Sequence, residues 1–352
     1  LRITGPAIET AKGNLTSFVA AQAQEVTNIY NNLVEDLNRQ CHGDGSGSLA
    51  TMTAAVTPST TATWTVKCQN TLGVRYLREG MIVDFYTSGG AIDASAATQR
   101  ITSIDPATNI ITMEAASTTY RADHPLAATA ASTAKTGAIA TAGVIVRSGV
   151  RPASWTSAST PIEIYGLEAI YDDGTLLDTF EGINADNLPF WRANMMGNSS
   201  TDRELSLDLM QQAVDRTRIR SGVNVDMIRM GFGQRRKYAA LLAPDVRFQP
   251  NQYRGGFEIM TFSGGTGKAI EMVIDPMTRP GRMYFEPKGV IQKYELTPIG
   301  WGDLDGNVMH RRAGYDAYDR FLRIYTQLGC EQRNCLTKLY DLVEPADGTT
   351  IA

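Results

Sequence analysis

The chain has 352 residues, 43% of them hydrophobic and 20% charged, enough for two or three packed units and unlike a disordered or collagen-like polymer. Lys and Arg total 33 against 37 Asp and Glu, and the net charge of -4 gives no global attraction for phosphate backbones or anionic membranes. No apolar run reaches the roughly 18 residues that span a bilayer, and no basic stretch followed by an apolar one marks a secretory signal.

The sequence opens at Leu1 rather than Met and runs straight into the strand-like Leu1-Arg2-Ile3-Thr4, which implies that further residues precede it. From Asn14 to Gln40, Leu15, Phe18, Val19, Val26, Ile29, Tyr30, Leu33 and Leu37 recur at three- and four-residue steps. That period predicts a helix extending for roughly 40 Å. Gly43, Gly45 and Gly47 stop it, and the Gly43 to Ser48 run reads as a flexible hinge.

From Ser48 to about Gly149 the composition turns to Ala, Thr and Ser, and strands are expected at Trp64 to Val66, Gly80 to Tyr86, Gln99 to Ile104 and Asn109 to Met113. Asp105-Pro106 with Asn109 supplies the turn between the last two. Short strands at this spacing predict a small β-barrel or sandwich inserted in an otherwise mixed chain. Farther on, Thr201 and Glu204 form a capping-box signal for a helix through Thr217 that Gly222 closes. A strand at Val225 to Met230 and a helix at Gln234 to Leu242, ended by Pro244, follow. Further strands are expected at Phe257 to Phe262, Ala269 to Ile274, Arg282 to Phe285, Val290 to Leu296, Tyr318 to Leu328 and Leu336 to Val343. The fold class is therefore α+β.

Motifs for chemistry are weak. In Ser263-Gly264-Gly265-Thr266-Gly267-Lys268 the place of a phosphate loop's first glycine is taken by Phe262 and that of its hydroxyl by Ala269, and a strand follows, so a hairpin turn is the better reading. Asp303, Asp305 and Asn307 alternate as in a calcium loop, but Gly306 falls one place early and no glutamate stands twelfth, which leaves a surface turn. His42, His124 and His310 lie in no nucleophile, metal or triad motif, and the carboxylates show no paired signature. Cys41, Cys68, Cys330 and Cys335 are too sparse for a disulfide scaffold and read as structural thiols in a reducing compartment. No enzyme is supported, and no catalytic, cofactor or metal residue is assigned. The densest basic groups are Arg216, Arg218 and Arg220 and then Arg235, Arg236 and Lys237, read as a solvated face or a source of interfacial salt bridges rather than base contacts.

Taken in order, ITGPAIETA at Ile3 to Ala11, LNRQCHGDGSG at Leu37 to Gly47, LREGMIVDFY at Leu77 to Tyr86, ITSIDPATNIITM at Ile101 to Met113 and GRMYFEPKGV at Gly281 to Val290 give the chain a family likeness. It resembles the tailed-bacteriophage major capsid proteins of the Hong Kong ninety-seven fold. The resemblance implies a peripheral domain with a spine helix, an axial domain and an inserted all-β domain on the outer surface. On this chain it divides residues into 1–13, a remnant of the extended loop; 14–49, the spine helix; 50–149, the insert; 150–200, a return segment of the peripheral domain; 201–314, the axial domain; and 315–352, C-terminal strands of the peripheral domain. The implied role is a structural one: self-assembly into pentamers and hexamers that build an icosahedral head shell around double-stranded DNA. The implied partners are copies of the chain, portal and scaffolding proteins, a decoration protein and non-specific contact with packaged DNA, with no cofactor and no membrane. The implied location is the virion capsid, assembled in the host cytoplasm. An encapsulin-like nanocompartment shell, which shares the fold, and a carbohydrate-binding surface adhesin built on the β insert remain the alternatives.

Overall fold

The computed structural model describes residues 2–4, 15–57, 63–69, 72–87, 98–114, 143–152, 161–242, 261–264, 269–303, 306–311 and 314–345. The periodic apolar face predicted near the start is helix α1, Leu15–Cys41. At 27 residues it is long, and about half of its residues with described side chains are exposed, Tyr30 and Val34 included.

The Ala/Thr-rich region holds six strands: β2 (Ser48–Thr51), β3 (Trp64–Lys67), β4 (Ile82–Tyr86), β5 (Gln99–Asp105), β6 (Ile110–Met113) and β7 (Val144–Arg147). They pair antiparallel in the order β2-β7-β4-β5-β6-β3. The two ends then meet: Met52 bridges Cys68, and the Thr53 N–H donates to the Lys67 carbonyl at 3.0 Å. The sheet thus closes into a small barrel, which leaves no free edge. Alternation along each strand sends Trp64, Val66, Phe85, Ile101, Ile111, Met113 and Ile145 into one core. β2 and β7 were not foreseen, because SLAT and VIVR are only four residues each and merge with their Ala/Ser surroundings.

A second six-stranded sheet is mixed, in the order β10 (Asn194–Met196), β19 (Thr337–Leu339), β14 (Met283–Glu286), β11 (Met227–Met230), β13 (Ala269–Ile274) and β12 (Thr261–Ser263). One face carries helices α3 (Leu207–Ser221) and α4 (Phe232–Leu242), and the other carries the short helix α2 (Leu167–Ile170) with the chain that follows it. β14 displays the consequence. Met283 and Phe285 enter the core under α3, Tyr284 joins the cluster beside α2, and all four of its residues are buried because both faces are covered. Within residues 315–352, Thr337–Leu339 pair with Met283–Phe285 on one side and with edge strand β10 on the other.

The α3 start also differs from expectation. Ser206, not Thr201, caps it, accepting from the Leu209 N–H at 3.2 Å, while Glu204 turns away to pair with Lys237 at 2.8 Å. Gly222 closes α3 as predicted, in the left-handed conformation with φ 73°. Of the strand expected at Phe257 to Phe262 only 261–262 lie among the described residues, and Pro244 lies outside them.

The remaining strands form an extended frame. β15 (Ile291–Trp301), which runs past the expected end at Leu296, and β18 (Leu322–Cys330) make a two-stranded ribbon with register shifts at Leu296 and between Thr297 and Gly300; the strand expected at Tyr318 to Leu328 is broken between 319 and 322. Beyond its tip β1 (Arg2–Thr4), β17 (Ala317–Asp319) and β16 (His310–Arg311) form a small sheet, and β8 (Thr179–Phe180) with β9 (Ile183–Asn184) makes a short hairpin beside β18.

Candidate functional site

Two features stand out from the residues upward: a buried junction of charges where α1, the barrel and the mixed sheet meet, and an exposed frame of helix and ribbon. The junction starts at the end of α1. Arg39 forks onto Glu163 at 2.6 and 3.1 Å and holds Asp36 at 2.9 Å. Next comes the Gly43 to Ser48 turn, which is pinned rather than a flexible hinge. Asp44 accepts from the Ser46 N–H at 3.0 Å and its hydroxyl at 2.6 Å, Arg279 stands 3.6 Å from Asp44, and Arg151 donates to the Ser46 carbonyl at 3.1 Å. These bonds saturate a stretch whose glycines alone would have left it free, and Gly45, Ser46 and Gly47 are buried. A second set of bonds holds the barrel at the same junction: the Tyr76 hydroxyl donates to the Met277 carbonyl at 2.7 Å, Arg75 to the Thr278 carbonyl and Arg78 to Glu35 of α1.

At the centre lies Glu168 on α2. It pairs with Arg282 and with Lys338 at 3.1 Å, and it accepts from the Tyr284 hydroxyl. Burial would raise its carboxyl, but Arg282, Lys338 and Arg279 outweigh that and hold it well below the usual carboxylate range. The neighbouring Glu286 accepts from Tyr171 at 2.8 Å and from Arg229 at 2.9 Å. Arg333, fully buried, donates to the Ile170 and Ala169 carbonyls at 2.7 and 2.8 Å and stands over the Phe180 ring at 5.0 Å. Each of these carboxylates thus has a cation or hydroxyl beside it, the arrangement that makes buried charge tolerable.

His42 completes the junction beside α1. Its Nδ1 lies 3.0 Å from the Asn38 carbonyl, while Nε2 is buried 3.7 Å from Asp275 without a hydrogen bond. Burial, the larger effect, pushes the imidazole down from its ordinary value against the pull of Asp275.

The frame is of the opposite character. Val26, Thr27 and Tyr30 of α1 line a cleft of about 340 Å³ with Ile299, Trp301 and Leu322 of the ribbon, so the two long elements lie against each other. Tyr294, Tyr325 and Phe321 are exposed, and Leu296, the extra residue of the ribbon's bulge, is 87% exposed.

No family model and no curated protein matches the chain. Among solved structures it is similar to a chain of the cyanophage A-1(L) capsid asymmetric unit. The two share 16% identity and a TM-score of 0.38 over 53% of this chain and 63% of that one, so the match spans less than two thirds of the capsid chain.

The residues singled out from sequence are scattered. Ser263 and Ala269 face each other across the antiparallel β12–β13 pair, which makes the glycine-rich run the connection of a hairpin; residues 265–268 themselves lie outside the described residues, as do Asp305 and His124. His310 stacks on Phe321 with centroids 5.6 Å apart. All four cysteines are free, and burial pushes the Cys68, Cys330 and Cys335 thiols up to about 12. Among the described residues no group of three His, Cys, Asp or Glu is arranged to hold a metal ion, and no described helix is long and apolar enough to cross a membrane. Arg216, Arg218 and Arg220 are exposed on the last turns of α3, whereas Lys237 is tied to Glu204 and Arg235 stands over Phe232 at 5.4 Å. The Glu168 junction was missed altogether. Its members lie up to 170 residues apart, and no local spacing could have joined them.

Proposed function

We propose that this chain is a structural subunit of a bacteriophage capsid, one that associates with copies of itself into pentamers and hexamers and so into a shell around double-stranded DNA. In this reading α1 and the β15–β18 ribbon are the peripheral frame, the mixed sheet with α3 and α4 is the axial unit, and the barrel is an insert fixed to the outside of both. Portal, scaffolding and decoration proteins would meet the assembled shell rather than the single subunit.

The observation that carries the proposal is the exposed frame. A two-stranded ribbon is marginal by itself in water, and here it displays Tyr294, Leu296, Tyr325 and Phe321 beside a long helix that displays Tyr30 and Val34. Such surface calls for a covering partner. Repeated copies supply one with modest patches used many times over. The buried charge junction fits the same role, since a shell subunit must hold its insert and frame in fixed relation while contacts accumulate. A net charge of -4 suits a wall that encloses DNA without gripping it.

Sedimentation and negative-stain electron microscopy of the purified full chain test the reading. Rings or closed shells are expected as protein concentration rises; a monomer that persists across concentration, salt and added crowding agent refutes it.

A further inference from the structure

The outer face of α3 bears Gln212, Asp215, Arg216, Ile219 and Arg220 at three- and four-residue steps, and with Met196 of β10 they line an open groove of about 690 Å³. The groove is both basic and apolar. Arg216 has no ion pair among the described residues, and Arg220 donates to Asn194 Oδ1 at 2.9 Å and the Pro189 carbonyl at 3.1 Å. Burial lowers the Arg220 guanidinium, Arg216 and Arg192 nearby lower it further, and Asp173 of the same chain offsets part of this, so the cations outnumber the acid here. Ile219 stands among them 86% exposed. Asp215, the acid within the groove, accepts from Gln211 at 2.8 Å.

The complementary chemistry is on the same chain. Residues 171–187 carry Asp172, Asp173, Asp178, Glu181 and Asp186 and no basic residue. The buried Asp172 carboxylate accepts from the N–H groups of Gly174, Leu176 and Leu177 at 2.9, 3.1 and 3.1 Å, which fixes the turn in shape and leaves Leu176 and Asp178 exposed. A pre-shaped turn loses little freedom on docking.

We propose that the α3 groove receives the 174–179 turn of a second copy of the chain, with Leu176 against Ile219 and Met196 and with Asp178 paired to Arg216. The proposal rests on the shell-subunit reading and names one of its contacts. Groove and turn adjoin, because Arg192 of the groove's margin pairs with Asp186 at 2.6 Å. The face is therefore self-complementary, and two copies facing one another offer groove to turn twice.

Full-length Arg216→Glu, Asp178→Arg and Ile219→Ser variants, each checked for an unchanged melting curve, are followed by sedimentation velocity across a concentration series. Each alone is expected to move the onset of assembly to higher protein concentration by roughly tenfold or more. An equimolar mixture of Arg216→Glu with Asp178→Arg is expected to restore it, since every reversed charge then meets its opposite. If the wild type assembles and the single variants assemble equally well, or if the mixture fails to recover, this contact is wrong while the shell reading stands. A wild type that never assembles removes both.

Discussion

Replacing Glu168 by Gln keeps the shape of the junction and removes its central charge. Glu168 is 4% exposed and lies 3.1 Å from the Lys338 ammonium, with the Arg282 guanidinium also in contact. At an effective dielectric of about 20, one such pair attracts by roughly 5 kcal/mol. The lost desolvation cost of the carboxylate offsets part of that, but the two cations stay buried with nothing to balance them. Breaking a buried pair from one side costs about 3–5 kcal/mol, and we expect a loss of that size in urea unfolding followed by tryptophan fluorescence. The double variant Glu168→Gln, Lys338→Met should recover at least about 1 kcal/mol of it, because one stranded cation is gone. The exposed Lys288–Glu271 pair, 2.7 Å apart, is the control, and Glu271→Gln should leave the transition where it was. Because the folded carboxyl lies below its ordinary value of 4.5, its contribution is complete above that pH and fades as pH falls farther; Glu168→Gln should flatten this acid limb. A Glu168→Gln loss no larger than that of the exposed control would refute the claim that this cluster ties the sheet to α2.

Three further outcomes follow from the same geometry. The folded His42 imidazole is held below 6.5 by burial among Asp275, Cys41, Arg229 and Arg279, so the unfolded chain binds the proton more readily. Stability should be complete above pH 6.5 and decline as pH drops below it, and thermal melts of His42→Gln should show a shallower decline; parallel slopes would contradict the assignment. Gly281 has φ 64°, and a Cβ there would sit 2.6 Å from the Leu342 carbonyl oxygen, so Gly281→Ala should cost about 1–3 kcal/mol in the same unfolding assay and more than Gly289→Ala, where a Cβ meets nothing within 4 Å and the positive φ of 84° is the sole strain; equal losses would show that the Leu342 contact adds nothing. Leu296→Ser should leave the melting curve of the single chain unchanged yet delay particle formation seen by light scattering, and an unaltered assembly curve would remove the ribbon from the contact surface.

Much of the skeleton was legible because it is local. The 3.6-residue recurrence from Leu15 onward gives α1, the αL glycine at 222 ends α3, and two-residue alternation with turn residues marks β5, β6 and β13. Thr201 and Glu204 have the spacing of a cap, but Ser206 is the hydroxyl that reaches an unpaired N–H, and Glu204 pairs with a lysine instead. The glycines of 43–48 suggest freedom only until Arg151, Arg279 and Asp44 are brought around them.

By itself, then, the sequence determined the α+β class, the long helix, the strand-rich module and the want of any linear catalytic motif, since each depends on neighbours within a few residues. Tertiary structure alone decided that the edge strands β2 and β3 meet to close a barrel, that Thr337–Leu339 enter the mixed sheet between β10 and β14, and that Glu168 gathers Arg282 and Lys338. Those pairings join residues tens to hundreds of positions apart, and buried charges find one another through the cost of standing unpaired in a low dielectric, which no spacing along the chain records.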